Sequence, residues 1–136
     1  MSEEFTWNVR VYYEDTDDVG VVYYANYLKY MERARTEWLR SKGYEHKKMV
    51  KDYGVLFAVK QCSIDYIKPA RLDEFITITC RLLENRGASL SFAQFINNEQ
   101  GDLLSRAEIK AVCLEAETLK PTAIPDDILL ELEHVN

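Results

Sequence analysis

One long stretch of this chain repeats its apolar residues at helical spacing. Tyr27, Tyr30, Met31, Ala34 and Trp38 fall at i, i+3, i+4, i+7 and i+11, which is one stripe along an α-helix. Asn26 is a capping type at its start and Gly43 a stop signal at its end, so a helix is expected over 26–42. Elsewhere the apolar residues alternate. Val9, Val11 and Tyr13 read as a strand within 5–13. Residues 54–67 are rich in β-branched and aromatic types and stop at Lys68-Pro69. Ile76, Ile78, Cys80 and Leu82 alternate with Thr77, Thr79 and Arg81, and strand character resumes at Leu90, Phe92 and Ile96 after a turn at Arg86-Gly87. A hairpin around Gly101 leads to a last long strand with Ser105, Ala107, Ile109, Ala111 and Cys113 on one face. A short helix is expected over 126–133, after Pro125. One helix cannot cover both faces of a sheet. The expectation is therefore an α+β fold, a five-stranded antiparallel sheet wrapped around one long central helix, with 1–136 as a single domain.

Composition narrows the function. Lys and Arg total 17 against 23 Asp and Glu, a net charge of −6, which argues against nucleic acid as the partner. The three cysteines, Cys62, Cys80 and Cys113, are unclustered in strand-like contexts and read as reduced core thiols of a cytoplasmic protein. No basic, apolar leader opens the chain, and no apolar run is long enough for a membrane span.

Chemistry concentrates between Tyr12 and Tyr27. Glu14, Asp15, Asp17 and Asp18 precede a short apolar stretch and then the helix start. A helix N-terminus offers unpaired N–H groups and partial positive charge, which can hold an oxyanion forming on a carbonyl. A carboxylate on the preceding loop can attack that carbonyl or activate water against it. The same acids could instead only complement the helix dipole or solvate a loop. A calcium loop fits poorly, because Val19 and Asn26 stand where ligands belong. His46 and His134 are remote from the segment, and no Ser-His-Asp set, G-x-S-x-G or metal-ligand spacing is present.

The run from Val11 to Asp17, then Gly20-Val21-Val22-Tyr23, Asn26-Tyr27 and Glu32-Arg33-Ala34-Arg35, closely resembles the 4-hydroxybenzoyl-CoA thioesterase family of hotdog proteins. Within it the chain looks most like the bacterial acyl-CoA thioesterases associated with the Tol-Pal envelope system. Further matches lie at residues 66–73, 86–90, Lys120-Pro121 and Pro125. The resemblance implies hydrolysis of an acyl-CoA, short-chain or aromatic, to a free acid and coenzyme A. Asp17 matches the catalytic aspartate, nucleophile or general base. Tyr24 matches the residue whose backbone N–H points at the thioester oxygen, and Tyr13 a tyrosine near the site. Tol-Pal-associated members usually carry histidine at position 24, and the 4-hydroxybenzoyl-CoA type carries tyrosine. Arg86 and Ser89 match the turn that contacts coenzyme A. No metal or redox cofactor is implied, and the family assembles as a dimer or dimer of dimers with the site between subunits. A binder of acyl-CoA or acyl carrier protein without turnover is the alternative, and acyl carrier protein is a second candidate carrier. Glu32 reads as an ion-pair partner of Arg35, Asp65 as a pocket or solvent-facing strand residue, and Tyr30 and Trp38 as core.

Overall fold

The computed structural model describes residues 4–133. Strand β1 (Phe5–Arg10) is followed by a single 3-10 turn at Tyr13–Asp15 and helix α1 (Asn26–Ser41). Then come α2 (His46–Tyr53), β2 (Val55–Tyr66), β3 (Phe75–Asn85), β4 (Ser89–Asn97), β5 (Leu103–Glu115) and α3 (Asp126–Glu133). The five strands form one sheet in the order β1-β3-β4-β5-β2, and every pairing is antiparallel. This is the expected architecture.

The alternating residues explain the packing. Ile76, Ile78 and Cys80 of β3 are fully buried, joined by Leu90, Phe92 and Ile96 of β4 and Ile109 and Cys113 of β5. Against this face lies the α1 stripe, with Tyr27, Tyr30, Met31, Ala34 and Trp38 all buried. Trp38 meets Phe92 edge-to-face at 5.2 Å between ring centroids. The helix stops as its sequence requires. Gly43 takes φ +96, its N–H donates to the Arg40 carbonyl, and the Tyr44 N–H donates to that of Leu39.

Several expectations are corrected. The first strand stops at Arg10, and Tyr13 stands in the 3-10 turn, 83% exposed. Asn26 is the first helical residue and not the cap, a position held by Ala25. Helix α2 was not expected, and only Met49 of it is buried. Cys62 is exposed and not in the core, because β2 is an edge strand and bulges between Val59 and Gln61. Glu32 accepts a hydrogen bond from Thr36 at 2.9 Å, while Arg35 reaches across to Gln94 at 2.9 Å. Asp65 takes the solvent-facing one of its two expected readings and pairs with Arg106. His134 lies outside the described residues.

Candidate active site

The loop before α1 is held by its own backbone. Asp15 Oδ2 accepts the Tyr12 N–H at 2.9 Å, closing the 3-10 turn. The Asp15 carbonyl accepts the Tyr23 N–H at 3.0 Å and the Asn26 side-chain amide at 2.8 Å. One residue thus ties the turn to the first residue of the helix. The Tyr30 hydroxyl lies buried near Asp15. Burial, then the charge of Asp15, pushes the Tyr30 phenol well above its ordinary pKa.

Between Asp15 and Tyr23 the chain folds back on itself. The Asp17 N–H donates to the Val21 carbonyl at 2.9 Å, and Gly20 returns an N–H to the Asp17 carbonyl at 3.2 Å. Gly20 adopts φ +83, which favours glycine. The Val22 N–H donates to the Ala70 carbonyl at 2.8 Å, and the Leu72 N–H to that of Gly20 at 3.2 Å. Tyr27 joins the same seam, its hydroxyl accepting the Ala70 N–H at 2.9 Å. The loop is thereby sewn to the connection between β2 and β3.

Asp17 is half-buried at the centre of this arrangement. Its Oδ1 accepts the N–H groups of Val19 at 3.0 Å and Val21 at 3.4 Å. Its Oδ2 receives no hydrogen bond from the described residues. One oxygen is therefore anchored and the other open. At the helix entry, the Asn26 and Tyr27 N–H groups are already spent on the Tyr23 and Tyr24 carbonyls, at 2.8 and 3.3 Å. The N–H groups of Tyr24 and Ala25 donate to no partner among the described residues. Tyr66 from the end of β2 donates its hydroxyl to the Tyr24 carbonyl at 3.1 Å, which fixes the Tyr24–Ala25 peptide. The Tyr24 ring is 61% exposed and lies against Tyr23 at 4.9 Å and Tyr66 at 6.0 Å between centroids. Hydrogen bonding to Tyr24 raises the pKa of the Tyr23 phenol.

Asp17, Tyr24 and Tyr13 thus share one loop-and-helix-start unit. Arg86 and Ser89 do not join it. They flank the β3–β4 turn, where the Arg86 N–H donates to the Ser89 carbonyl at 2.9 Å and its side chain pairs with Glu84 at 2.9 Å. The Asp17 loop is sewn to the opposite, Phe75 end of β3. At ~3.3 Å per residue, the 11 residues of β3 separate the two by roughly 30 Å. Sequence reasoning missed Tyr66 and Ala70 as supports of the site, because they come from a segment distant in sequence, and it read Tyr27 only as part of the helix stripe. Among the described residues no group of His, Cys, Asp and Glu is arranged to hold a metal ion, and no helix is long and apolar enough to cross a membrane.

Comparison with known proteins gives the family of the chain. Residues 11–132 match the model of the thioesterase-like superfamily. The acyl-CoA thioester hydrolase YbgC of Escherichia coli O6:H1 is 43% identical over 129 residues, covering 95% of this chain and 96% of that protein. A probable thioesterase from Bartonella henselae superposes with a TM-score of 0.85 at 31% identity, covering 90% of this chain and 100% of the other. A 4-hydroxybenzoyl-CoA thioesterase shares the fold alone, with a TM-score of 0.87 at 22% identity over 96% of this chain and 99% of the other. The chain therefore belongs to the thioesterase-like superfamily and is a thioester hydrolase with the hotdog fold.

Proposed function

We propose that this protein hydrolyses an acyl-CoA to the free acid and coenzyme A, with Asp17 driving attack and the Tyr24 N–H holding the oxyanion. The observation that carries this reading is the asymmetry of Asp17. Oδ1 is fixed by two backbone N–H groups while Oδ2 is open, on the loop that leads into the unpartnered N–H groups of the helix entry. A carboxylate so held is oriented without being neutralised. Charge that develops on the thioester oxygen meets a donor already in place and near the positive end of α1. As nucleophile, Asp17 bonds to the thioester carbon, the coenzyme A thiolate departs and takes a proton from water, and a second water opens the anhydride. As general base, it takes the proton of a water that attacks directly, the tetrahedral intermediate then expels the coenzyme A thiolate, and the thiolate takes that proton back from Asp17. Tyr13 stands exposed in the 3-10 turn that precedes this loop.

Recognition of coenzyme A by Arg86 and Ser89 requires a second copy, since one protomer holds them at the far end of β3. Strand β2 supplies the joint. It is a 12-residue edge whose helix-side residues Val59 and Tyr66 stay 52% and 45% exposed. Unpaired edges and uncovered apolar rows are liabilities that pairing with a second copy removes. The protein acts as a cytoplasmic homo-oligomer on this reading, a dimer or dimer of dimers, and acyl carrier protein is a possible alternative carrier of the acyl group.

The test is free-thiol release from a panel of acyl-CoA and acyl-carrier thioesters by wild type and Asp17→Asn. The amide keeps the shape but serves as neither anion nor base, so kcat should fall at least a hundredfold. Asp15→Asn, which keeps an acceptor for the Tyr12 N–H, is the control and should lose much less. Hydrolysis by Asp17→Asn within threefold of wild type would remove Asp17 from the mechanism. Binding without turnover by the wild type would leave a carrier-binding protein.

A further inference from the structure

The Asp17 loop and helix α1 are separate pieces of the fold, and the spacing between them has to be fixed. Before Asp17, the Asp15 carbonyl ties the turn to the helix start through the Tyr23 N–H and the Asn26 side-chain amide. After Asp17, the loop is bonded to the β2–β3 connection instead. The Val22 N–H donates to the Ala70 carbonyl at 2.8 Å, and the Gly20 carbonyl accepts the Leu72 N–H at 3.2 Å. These two bonds set the loop against the connection, and neither reaches the helix.

Tyr27 joins the connection to the helix. Its backbone N–H donates to the Tyr24 carbonyl at 3.3 Å, and its hydroxyl accepts the Ala70 N–H at 2.9 Å. Ala70 is fully buried, with its N–H given to Tyr27 and its carbonyl to Val22. The preceding residue, Val21, donates its N–H to Asp17 Oδ1 and accepts the Asp17 N–H. The path from the Tyr24 peptide to the carboxylate is therefore one phenol and a short run of backbone. The Tyr27 ring is held in place, 3% exposed and packed edge-to-face on Tyr66 at 5.2 Å between centroids. Burial pushes its phenol above the ordinary pKa, against the opposing effect of the Ala70 N–H, so the oxygen stays uncharged near neutral pH.

We propose that Tyr27 is a positioning residue of the hydrolysis, its phenol the strut that sets the spacing between the Asp17 carboxylate and the Tyr24 N–H. The proposal rests on the reading of those two groups as the ones that meet the thioester carbonyl. A misplacement of about 1 Å between such groups costs up to roughly a hundredfold in rate. Binding of the carrier end of the substrate is untouched by it, so the loss falls on kcat and not on KM.

Tyr27→Phe keeps the ring and deletes the acceptor. In steady-state thiol release from acyl-CoA, kcat should fall about ten- to a hundredfold with KM within threefold. The factor should be the same at pH 6, 7 and 8.5, because the phenol places groups and moves no proton. In an Asp17→Asn background the same change should cost less than twofold, since the strut then has no carboxylate to place. Leu132→Ala controls for lost stability. It empties a buried position on α3, whose end is bonded to Asn85 at the other end of β3, and it should keep kcat within twofold. Tyr27→Phe leaves the buried Ala70 N–H without its acceptor and risks misfolding, so Val22→Pro interrupts the path at its other end. It deletes the N–H bonded to Ala70 and should give the same fall in kcat with KM retained. Wild-type kcat in either folded variant would overturn the proposal. So would a loss that changes with pH, or one of equal size with and without the Asp17 carboxylate. Asp17→Asn assayed alone keeps the two ideas apart. If it stays active, the reading of the site is wrong, whereas inactive Asp17→Asn beside fully active Tyr27→Phe removes the strut alone.

Discussion

Replacing Tyr24 separates the backbone from the side chain at the helix entry. Its N–H is unpartnered, its carbonyl is fixed by Tyr66, and its ring is largely in solvent. Tyr24→Phe leaves the N–H, the carbonyl bond and both ring contacts in place and removes one phenolic hydroxyl. If the N–H holds the oxyanion, kcat should fall less than about tenfold, well short of the roughly 10²–10³ that follows deletion of an oxyanion donor. Tyr24→Pro deletes the N–H itself. Its fixed φ suits the approach to a helix, where no intrahelical donor is lost, so the fold has reason to survive. That variant should lose the full ~10²–10³, equivalent to about 2.7–4 kcal/mol of transition-state stabilisation. The assay is steady-state thiol release under saturating acyl-CoA, with circular dichroism and a melting curve to establish that each variant is folded. If Tyr24→Phe abolished turnover as fully as Asp17→Asn, the hydroxyl would be the essential donor. If folded Tyr24→Pro kept near wild-type kcat, the open Ala25 N–H would be the better candidate.

Arg86→Ala should raise KM for acyl-CoA with kcat nearly unchanged, since binding remote phosphates stabilises ground and transition states alike. An acyl-pantetheine lacking the nucleotide should be hydrolysed equally by both proteins, and an equal loss on that substrate would exclude a phosphate role. Trp38→Ala empties a buried site against Phe92 and should destabilise the fold by about 3–5 kcal/mol, read from urea unfolding. A cost under about 1 kcal/mol would show that the surrounding side chains collapse into the space.

The helix and the five strands were legible because each buries one face, and a buried face imposes its period on the sequence. Helix α2 was not, since a helix with only Met49 buried has no stripe to reveal it. Tyr13 misled the reading of the first strand. It continues the alternation of Val9 and Val11, yet the chain turns after Arg10 and leaves its ring in solvent. Cys62 misled for a different reason. It sits on the helix side of β2, opposite buried Ile109, but an edge strand extends beyond what the helix covers. The Glu32–Arg35 expectation followed local spacing, and Arg35 instead found Gln94, 59 residues away in sequence. Of the candidate site, the acidic loop and helix start were readable because they are contiguous. The seam through Tyr27, Tyr66 and Ala70 exists only after the sheet has formed.

The distance between the two halves of the expected site bears on how binding energy can be used. The Asp17 loop is fixed by backbone hydrogen bonds, two of them to Ala70 and Leu72 of the β2–β3 connection, and the Tyr24 carbonyl is held by Tyr66. Their geometry depends little on whether a nucleotide is held elsewhere. Arg86 sits on a hairpin tip, exposed and paired with Glu84, and is free to exchange that carboxylate for a phosphate. An exposed ion pair of this kind is worth at most about 1 kcal/mol, so the exchange costs little. If the hairpin of one copy serves the loop of another, nucleotide binding also registers that the two copies are correctly joined. If the Asp17 loop is the reacting end, it needs no such signal from its own sheet, because a loop sewn to Ala70 and Leu72 is already organised before substrate arrives.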